Sequence, residues 1–271
     1  MNKQLLPIAK DRIQILYIDS AEIRQKEYSV ILVKDSEEFD IPIANIQCII
    51  LGPGTSITHN AVKQISEYGC SIIWSGEDIH FYYALGEPLT RYSDNILKQC
   101  KCHESKMLFN QVVHNMYRIR YPDLRLQTKS IDEIKGIEGN IMQDLYRELA
   151  YKNNIQWNGR TYHVIDFNKQ DEINKAITSA NQMLYAIILC TINAIGYSPA
   201  IGFIHTGQML SFVYDIADLY KERLILPNVF KYIGEKQIYN SKDVKDLAYS
   251  TLISNKIVDK IILDLEVVFS I

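Results

Sequence analysis

The sequence predicts an α+β chain, with a β-rich, sandwich-like N-terminal domain over residues 1–90 that carries one helix, followed by an all-helical C-terminal domain over residues 91–271. Three observations predict it. As far as Leu51, apolar residues fall in short runs rich in Ile, Val and Tyr between polar turns, as strands require. Beyond Thr90 these strand signals give way to long stretches with helical spacing. Charge shifts at the same place: residues 1–90 hold 7 basic and 12 acidic side chains, whereas residues 91–271 hold 22 and 20.

In order along the chain, ILYI, YSVILV, FDIPI and IQCIIL read as strands, and GPG at 52–54 as a turn. HNAVKQISEYG (59–69) has helical spacing, with Gly69 at the residue beyond the C-cap. CSIIW (70–74) and HFYYAL (80–85) are two further strands, and GEP at 86–88 breaks the pattern. Residues 91–121 form one long helical pattern stopped by Pro122. Ser130 and Glu133 make an S-x-x-E capping box that opens a second helix. A third, INKAITSANQMLYAIILCTINAIG, is apolar on most of its surface and is therefore central. Shorter helices are expected over roughly 209–221 and 242–266.

Composition narrows the function classes. With 47% hydrophobic and 23% charged residues, the chain is an ordinary globular protein. A formal charge of −3 excludes a wholesale basic DNA-coating protein. Residues 91–135 nevertheless carry 9 basic against 5 acidic side chains, which is either a polyanion-facing patch or a solvated helix face. The longest apolar stretch, Met183–Ile195, falls short of the roughly 20 residues that span a membrane. No signal-peptide core opens the chain, and five cysteines show no pairing framework, so a cytoplasmic, reducing location without membrane contact is expected.

Chemistry can sit in three places. Glu138 falls in the middle of the apolar stripe Ile134, Ile141, Leu145, Leu149, where a lone carboxylate is costly unless paired or bound to a metal. Gly136 and Gly139 flank it, each costing up to about 1 kcal/mol of helix propensity, as though something approaches the backbone closely. The alternative is a domain-edge Glu paired with a nearby Lys or Arg. In PAIGFIHTGQMLSFVYDIADLY (199–220), His205 lies in a turn, and Asp215 and Asp218 share one face of the following helix. Two carboxylates and an imidazole suit Mg²⁺ or Mn²⁺, although a structural role fits the same spacing. Cys100-x-Cys102-His103 lacks the second half that a zinc site needs.

Taken together, GIEG (136–139), WNGR-Y (157–162) and PAIGFIHTG…LSFVYDIADL (199–219) resemble the integrase of CRISPR adaptation. This is the universal spacer-acquisition endonuclease/integrase subunit, in the branch that accompanies subtype I-E systems. KDRIQILYID (10–19), ITHNAV (57–62) and RYSD (91–94) extend the resemblance over nearly the whole chain. It implies a Mg²⁺ or Mn²⁺ site held by Glu138, His205 and Asp218, with Asp215 as a second acid lining it. It implies insertion of a new DNA fragment into the repeat array by attack of the fragment's 3′-OH on a repeat phosphodiester. Lys63, Lys135, Arg160 and Lys245 align with DNA contacts, and Tyr162 and Tyr185 with an aromatic pair near the fragment's single-stranded end. Gln208, Ser56 and Phe81 stand where relatives place basic residues. The implied assembly is a homodimer through the N-terminal domain. Two such dimers clamp a central dimer of a small ferredoxin-like second adaptation protein in a heterohexamer. The alternatives are a metal-dependent repair nuclease acting on branched DNA, and a catalytically silent DNA-binding scaffold.

Overall fold

In a computed structural model, residues 14–76, 83–88, 92–126, 128–161 and 170–271 are described. The chain divides into two units: residues 1–97 with 189–198, and residues 98–188 with 199–271. The sequence boundary at 90/91 lies seven residues before this division and did not assign residues 189–198 to the first unit. Those ten residues lie within and just after the apolar stretch that periodicity reads as one uninterrupted helix.

In the first unit the described strands are β1 (Gln14–Ile18), β2 (Glu22–Lys26), β3 (Ser29–Lys34), β4 (Glu37–Ile41), β5 (Ile46–Leu51), β6 (Ser56–Ile57), β7 (Ser71–Trp74) and β8 (Ala84–Gly86). They form two four-stranded sheets, ordered β1-β5-β7-β8 and β4-β3-β2-β6. β1, β5 and β7 run parallel, and β8 is antiparallel to β7. Every residue of β5 is buried, which explains why IQCIIL, apart from Gln47, is an apolar run rather than an alternating one. Parallel β5 and β7 need a crossover, supplied by helix α1 (His59–Glu67). The Thr58 side chain caps α1 by accepting from the Ala61 N–H, and Gly69 follows it at φ +70°. Ile23, Val30, Ile49, Leu51, Ile65 and Ile72 join both sheets and α1 in one core.

β2 was not anticipated, because EIRQK turns only Ile23 fully inward. Its outer residues pair across the sheet, with Arg24 and Lys26 both bonded to Glu38. Of the expected strand at 80–85, residues 80–82 lie outside the described residues, and Ala84 and Leu85 fall in β8. Cys48 and Cys190, both fully buried, are joined as a disulfide with Cα atoms 6.0 Å apart. Their separation of 142 residues gives no spacing signal, so the sequence reading saw no pair.

Nine helices are described in all. After α1 they are α2 (Asp94–Glu104), α3 (Lys106–Arg120), α4 (Ile131–Lys152), α5 (Glu172–Ala194), α6 (Ser211–Asp218), α7 (Leu226–Lys236), α8 (Ser241–Ser254) and α9 (Ile257–Val268). A π-helical turn, Lys221–Ile225, joins α6 to α7. Both halves of the capping box at Ser130 and Glu133 are formed. The expected long helix from residue 91 is instead α2 and α3, split at Ser105, whose side chain caps α3. The stretch 242–266 likewise splits, with Lys256 at φ +52° between α8 and α9. α7 was missed; Pro227 in its first turn reads as a breaker but starts a helix instead. Among the described residues no helix is long and apolar enough to cross a membrane.

Candidate active site

Asp215 organises the first half of the site. It lies on α6, fully buried, and its carboxylate reaches back to the loop that precedes the helix. Oδ2 accepts from the N–H groups of Phe203 (2.6 Å) and Ile204 (3.2 Å), and Oδ1 from the His205 N–H (2.8 Å). The His205 Nδ1 also lies 2.9 Å from Oδ1. A carboxylate can only accept, so Nδ1 carries the hydrogen and Nε2 is left to face outward. Nε2 stands 3.8 Å from Oδ2 of Asp218. The loop closes tightly because Gly202 has no side chain. A Cβ there would meet the His205 carbonyl oxygen at 2.2 Å and Ser211 at 2.7 Å. The hydrogen bond to Asp215 raises the pKa of His205 above its ordinary value; burial opposes this, and the charge of Asp218 adds to the rise.

The second half is built around an arginine. Arg120, near the end of α3, is buried with its side chain 6% exposed. Its Nε donates to Oε1 of Glu222 at 2.6 Å, and Nη2 pairs with the same oxygen. Nη1 pairs with Oε1 of Glu138 and lies 4.0 Å from Oδ2 of Asp218. Tyr117 donates to the other Glu138 oxygen at 2.7 Å, and Tyr121 donates to Glu222 at 2.7 Å. Lys221, three residues after Asp218, donates to Asp218 Oδ1 at 2.7 Å. Burial would push the Asp218 carboxyl up, but the positive charges of Lys221 and Arg120, with His205, outweigh it and hold the carboxyl below its usual range.

Glu138, His205, Asp215 and Asp218 are therefore brought into one cluster from α4, the 199–210 loop and α6. Glu138 has the arginine partner that the sequence left open as its alternative. Among the described residues nothing approaches Gly136 or Gly139 closely: a Cβ on either would meet open space within 4 Å. Arg120, Tyr117, Lys221 and Glu222 were missed. Only Lys221 and Glu222 carried a local signal, at three and four residues from Asp218. Arg120 comes from a helix whose pattern gave no reason to face an acid on α4.

The other expected residues scatter. Tyr185 borders the cluster, with the Lys221 ammonium 4.9 Å above its ring and Tyr214 packed edge-on. Lys135 is exposed on α4, one turn before Glu138, and Lys63 is exposed on α1. Lys245 is half-buried on α8. The Arg160 guanidinium turns inward to the Asn174 side chain (2.7 Å), the Thr178 hydroxyl (2.9 Å) and nearby carbonyls, a use the sequence did not suggest for it. Tyr162 and Phe81 lie outside the described residues, while Ser56 and Gln208 are exposed. A cleft of about 390 Å³ opens beside the loop, lined by Cys100, His103, Glu104, Ile201, Thr206 and Gly207. Neither Glu138 nor Asp218 lines it.

The donor set suits a hard divalent cation. Among the described residues, Glu138, Asp215, Asp218 and Glu222 pair with Arg120 and Lys221 as fixed cations, a deficit of two formal charges when His205 is neutral. As arranged, however, no three donors among the described residues converge closely enough to hold an ion.

A family model described as CRISPR associated protein Cas1 matches residues 110–266. The CRISPR-associated endonuclease Cas1 2 of Chlorobaculum tepidum is 35% identical over 240 residues, covering 88% of this chain and 81% of its own length. The CRISPR-associated endonuclease Cas1 of Escherichia coli K12 is 36% identical over 223 residues, covering 82% and 73%. The crystal structure of TtCas1 superposes with a TM-score of 0.84 at 29% identity, covering 96% of this chain and 98% of that one. A TtCas1-DNA complex gives 0.75 at 30% identity, with the same coverage.

Proposed function

The chain belongs to the CRISPR-associated protein Cas1 family, and we propose that it is a DNA endonuclease and integrase that joins new spacer DNA to the repeat array. The observation that carries this reading is the cluster itself: a backbone-anchored imidazole whose Nε2 stands 3.8 Å from Asp218, and two carboxylates, Glu138 and Asp218, that face the same guanidinium of Arg120. The attacking 3′-oxygen of the incoming fragment forms a bond to phosphorus as the bond to the repeat's 3′-oxygen breaks, so the number of phosphodiesters is conserved. Water in place of the 3′-OH gives endonuclease activity at the same residues.

Mg²⁺ or Mn²⁺, held by Glu138, His205 and Asp218, would neutralise charge on the scissile phosphate and orient the attacking oxygen. Asp215 fixes the ring of His205 so that Nε2, rather than Nδ1, is presented, a positioning role behind the direct contact. Lys221 holds Asp218 in place and leaves Oδ2 facing His205. Lys63, Lys135 and Lys245 supply phosphate contacts that grip DNA without reading its sequence. Arg160 shapes the 157–161 segment from within and contributes charge at longer range. Tyr185, with Tyr162, borders the end of the fragment. Residues 1–90 serve dimerisation, and two dimers take a central dimer of a small ferredoxin-like second adaptation protein between them.

The test is joining of a short duplex to a supercoiled plasmid bearing the repeat, in Mg²⁺, Mn²⁺ or chelator, with and without that second protein. Asp218→Asn should lower joining and cleavage by at least about a hundredfold while circular dichroism stays unchanged. Full activity in that variant defeats the assignment.

A further inference from the structure

We infer that Arg120 is a place-holding cation, occupying in the metal-free protein the position between Glu138 and Asp218 that a divalent ion takes in the working one. The inference rests on the metal reading above and deepens it. Four observations carry it. Nη1 of Arg120 is paired with Glu138 and stands 4.0 Å from Asp218, so one positive group already serves both candidate carboxylate ligands. Oδ2 of Asp218, flanked by that nitrogen and by His205 Nε2 at 3.8 Å, accepts no hydrogen bond among the described residues, although the side chain is only 15% exposed. An oxygen so placed keeps a lone pair open at close range, which an ion would use.

The arginine is also fixed from behind. Glu222 takes its Nε and Nη2, Tyr121 buttresses Glu222, and Arg223 donates to the Arg120 carbonyl at 2.6 Å. Glu138, by contrast, rises from a helical segment with Gly136 on one side and Gly139 on the other, where a Cβ would meet nothing within 4 Å among the described residues. The part that yields is therefore the Glu138 side chain and its turn of α4, not the arginine. Ion binding and the Arg120–Glu138 pair exclude each other. Arg120 is thus a positioning residue, keeping two buried-side acids from repelling each other and lowering the site's affinity for the ion.

The experiment measures Mn²⁺ binding to the full chain without DNA, by electron paramagnetic resonance of free Mn²⁺. Arg120→Gln should bind Mn²⁺ about tenfold more tightly than the unchanged protein, since a fixed competing charge has been removed, and Arg120→Lys should fall between them. Equal or weaker binding by Arg120→Gln overturns the inference. Because Arg120→Gln strands Glu222 and can fail to fold, crystals of the unchanged protein with Mn²⁺ give a second measurement. An anomalous peak between Glu138 and Asp218, with Glu138 turned away from Arg120, supports the inference. A peak there with the Arg120–Glu138 pair intact overturns it and leaves the metal reading standing. No bound Mn²⁺ at Glu138, His205 or Asp218 in any form overturns both.

Discussion

Asp215 and Glu138 are both acids set among apolar neighbours, yet one is held by backbone and the other by side chains. Asp215 accepts three consecutive N–H groups and the ring of His205. Those donors belong to a loop that cannot rearrange without breaking all of them. Glu138 has a phenol and a guanidinium, each at the end of a long side chain. The difference teaches that half of the site is preorganised and half exchangeable. Such a division suits a reaction centre that must present one ligand rigidly while letting another change partners.

The comparison can be broken most severely at Asp215. Asp215→Ala leaves three N–H groups without acceptors, that of Phe203 buried and those of Ile204 and His205 part-buried, so a loss of roughly 2–5 kcal/mol in denaturant unfolding is expected. A loss below about 1 kcal/mol would show that the loop stands without its anchor. Gly202→Ala tests the same half by sterics. Its new Cβ would lie 2.2 Å from the His205 carbonyl, so roughly 1–3 kcal/mol should be lost, with the His205 ring displaced and joining activity lowered. An unchanged melting temperature would mean that the loop relaxes freely. The other half responds in the opposite direction. Gly136→Ala meets open space in a helix, so stability should rise by up to about 1 kcal/mol. If it falls instead, α4 is not a plain helix at this point.

Much of this molecule could be read from local signals. β5 is legible because a parallel strand buried on both faces is apolar nearly throughout, with Gln47 its one polar residue. The start of α4 is legible because both capping bonds join residues three apart. His205, Asp215 and Asp218 stand out as a block because fourteen residues span them. Arg120 is different in kind. Its three partners come from α4, α6 and the π-helical turn, and no periodicity within α3 encodes an acid eighteen or a hundred residues away. The same holds for Arg160: a basic residue in WNGR looks like a phosphate contact until Asn174 and Thr178 are seen to take its hydrogen bonds. Helix breaks at Ser105 and Lys256 were hidden because apolar spacing continues across them, so that only cap chemistry or a left-handed residue reveals the interruption.

The partition of α5 has a practical corollary for dissecting the protein. The first unit takes residues 189–198, from the end of α5 and just beyond it, with Ile192 wholly buried there. Neither unit is therefore one uninterrupted length of polypeptide. A gene fragment ending near codon 90 would encode a β-domain stripped of its own closing segment and bearing a raw greasy scar, prone to precipitate. Anyone wanting the two parts separately would do better to graft the missing decapeptide back, or to reconnect the termini by permutation, than to cut once.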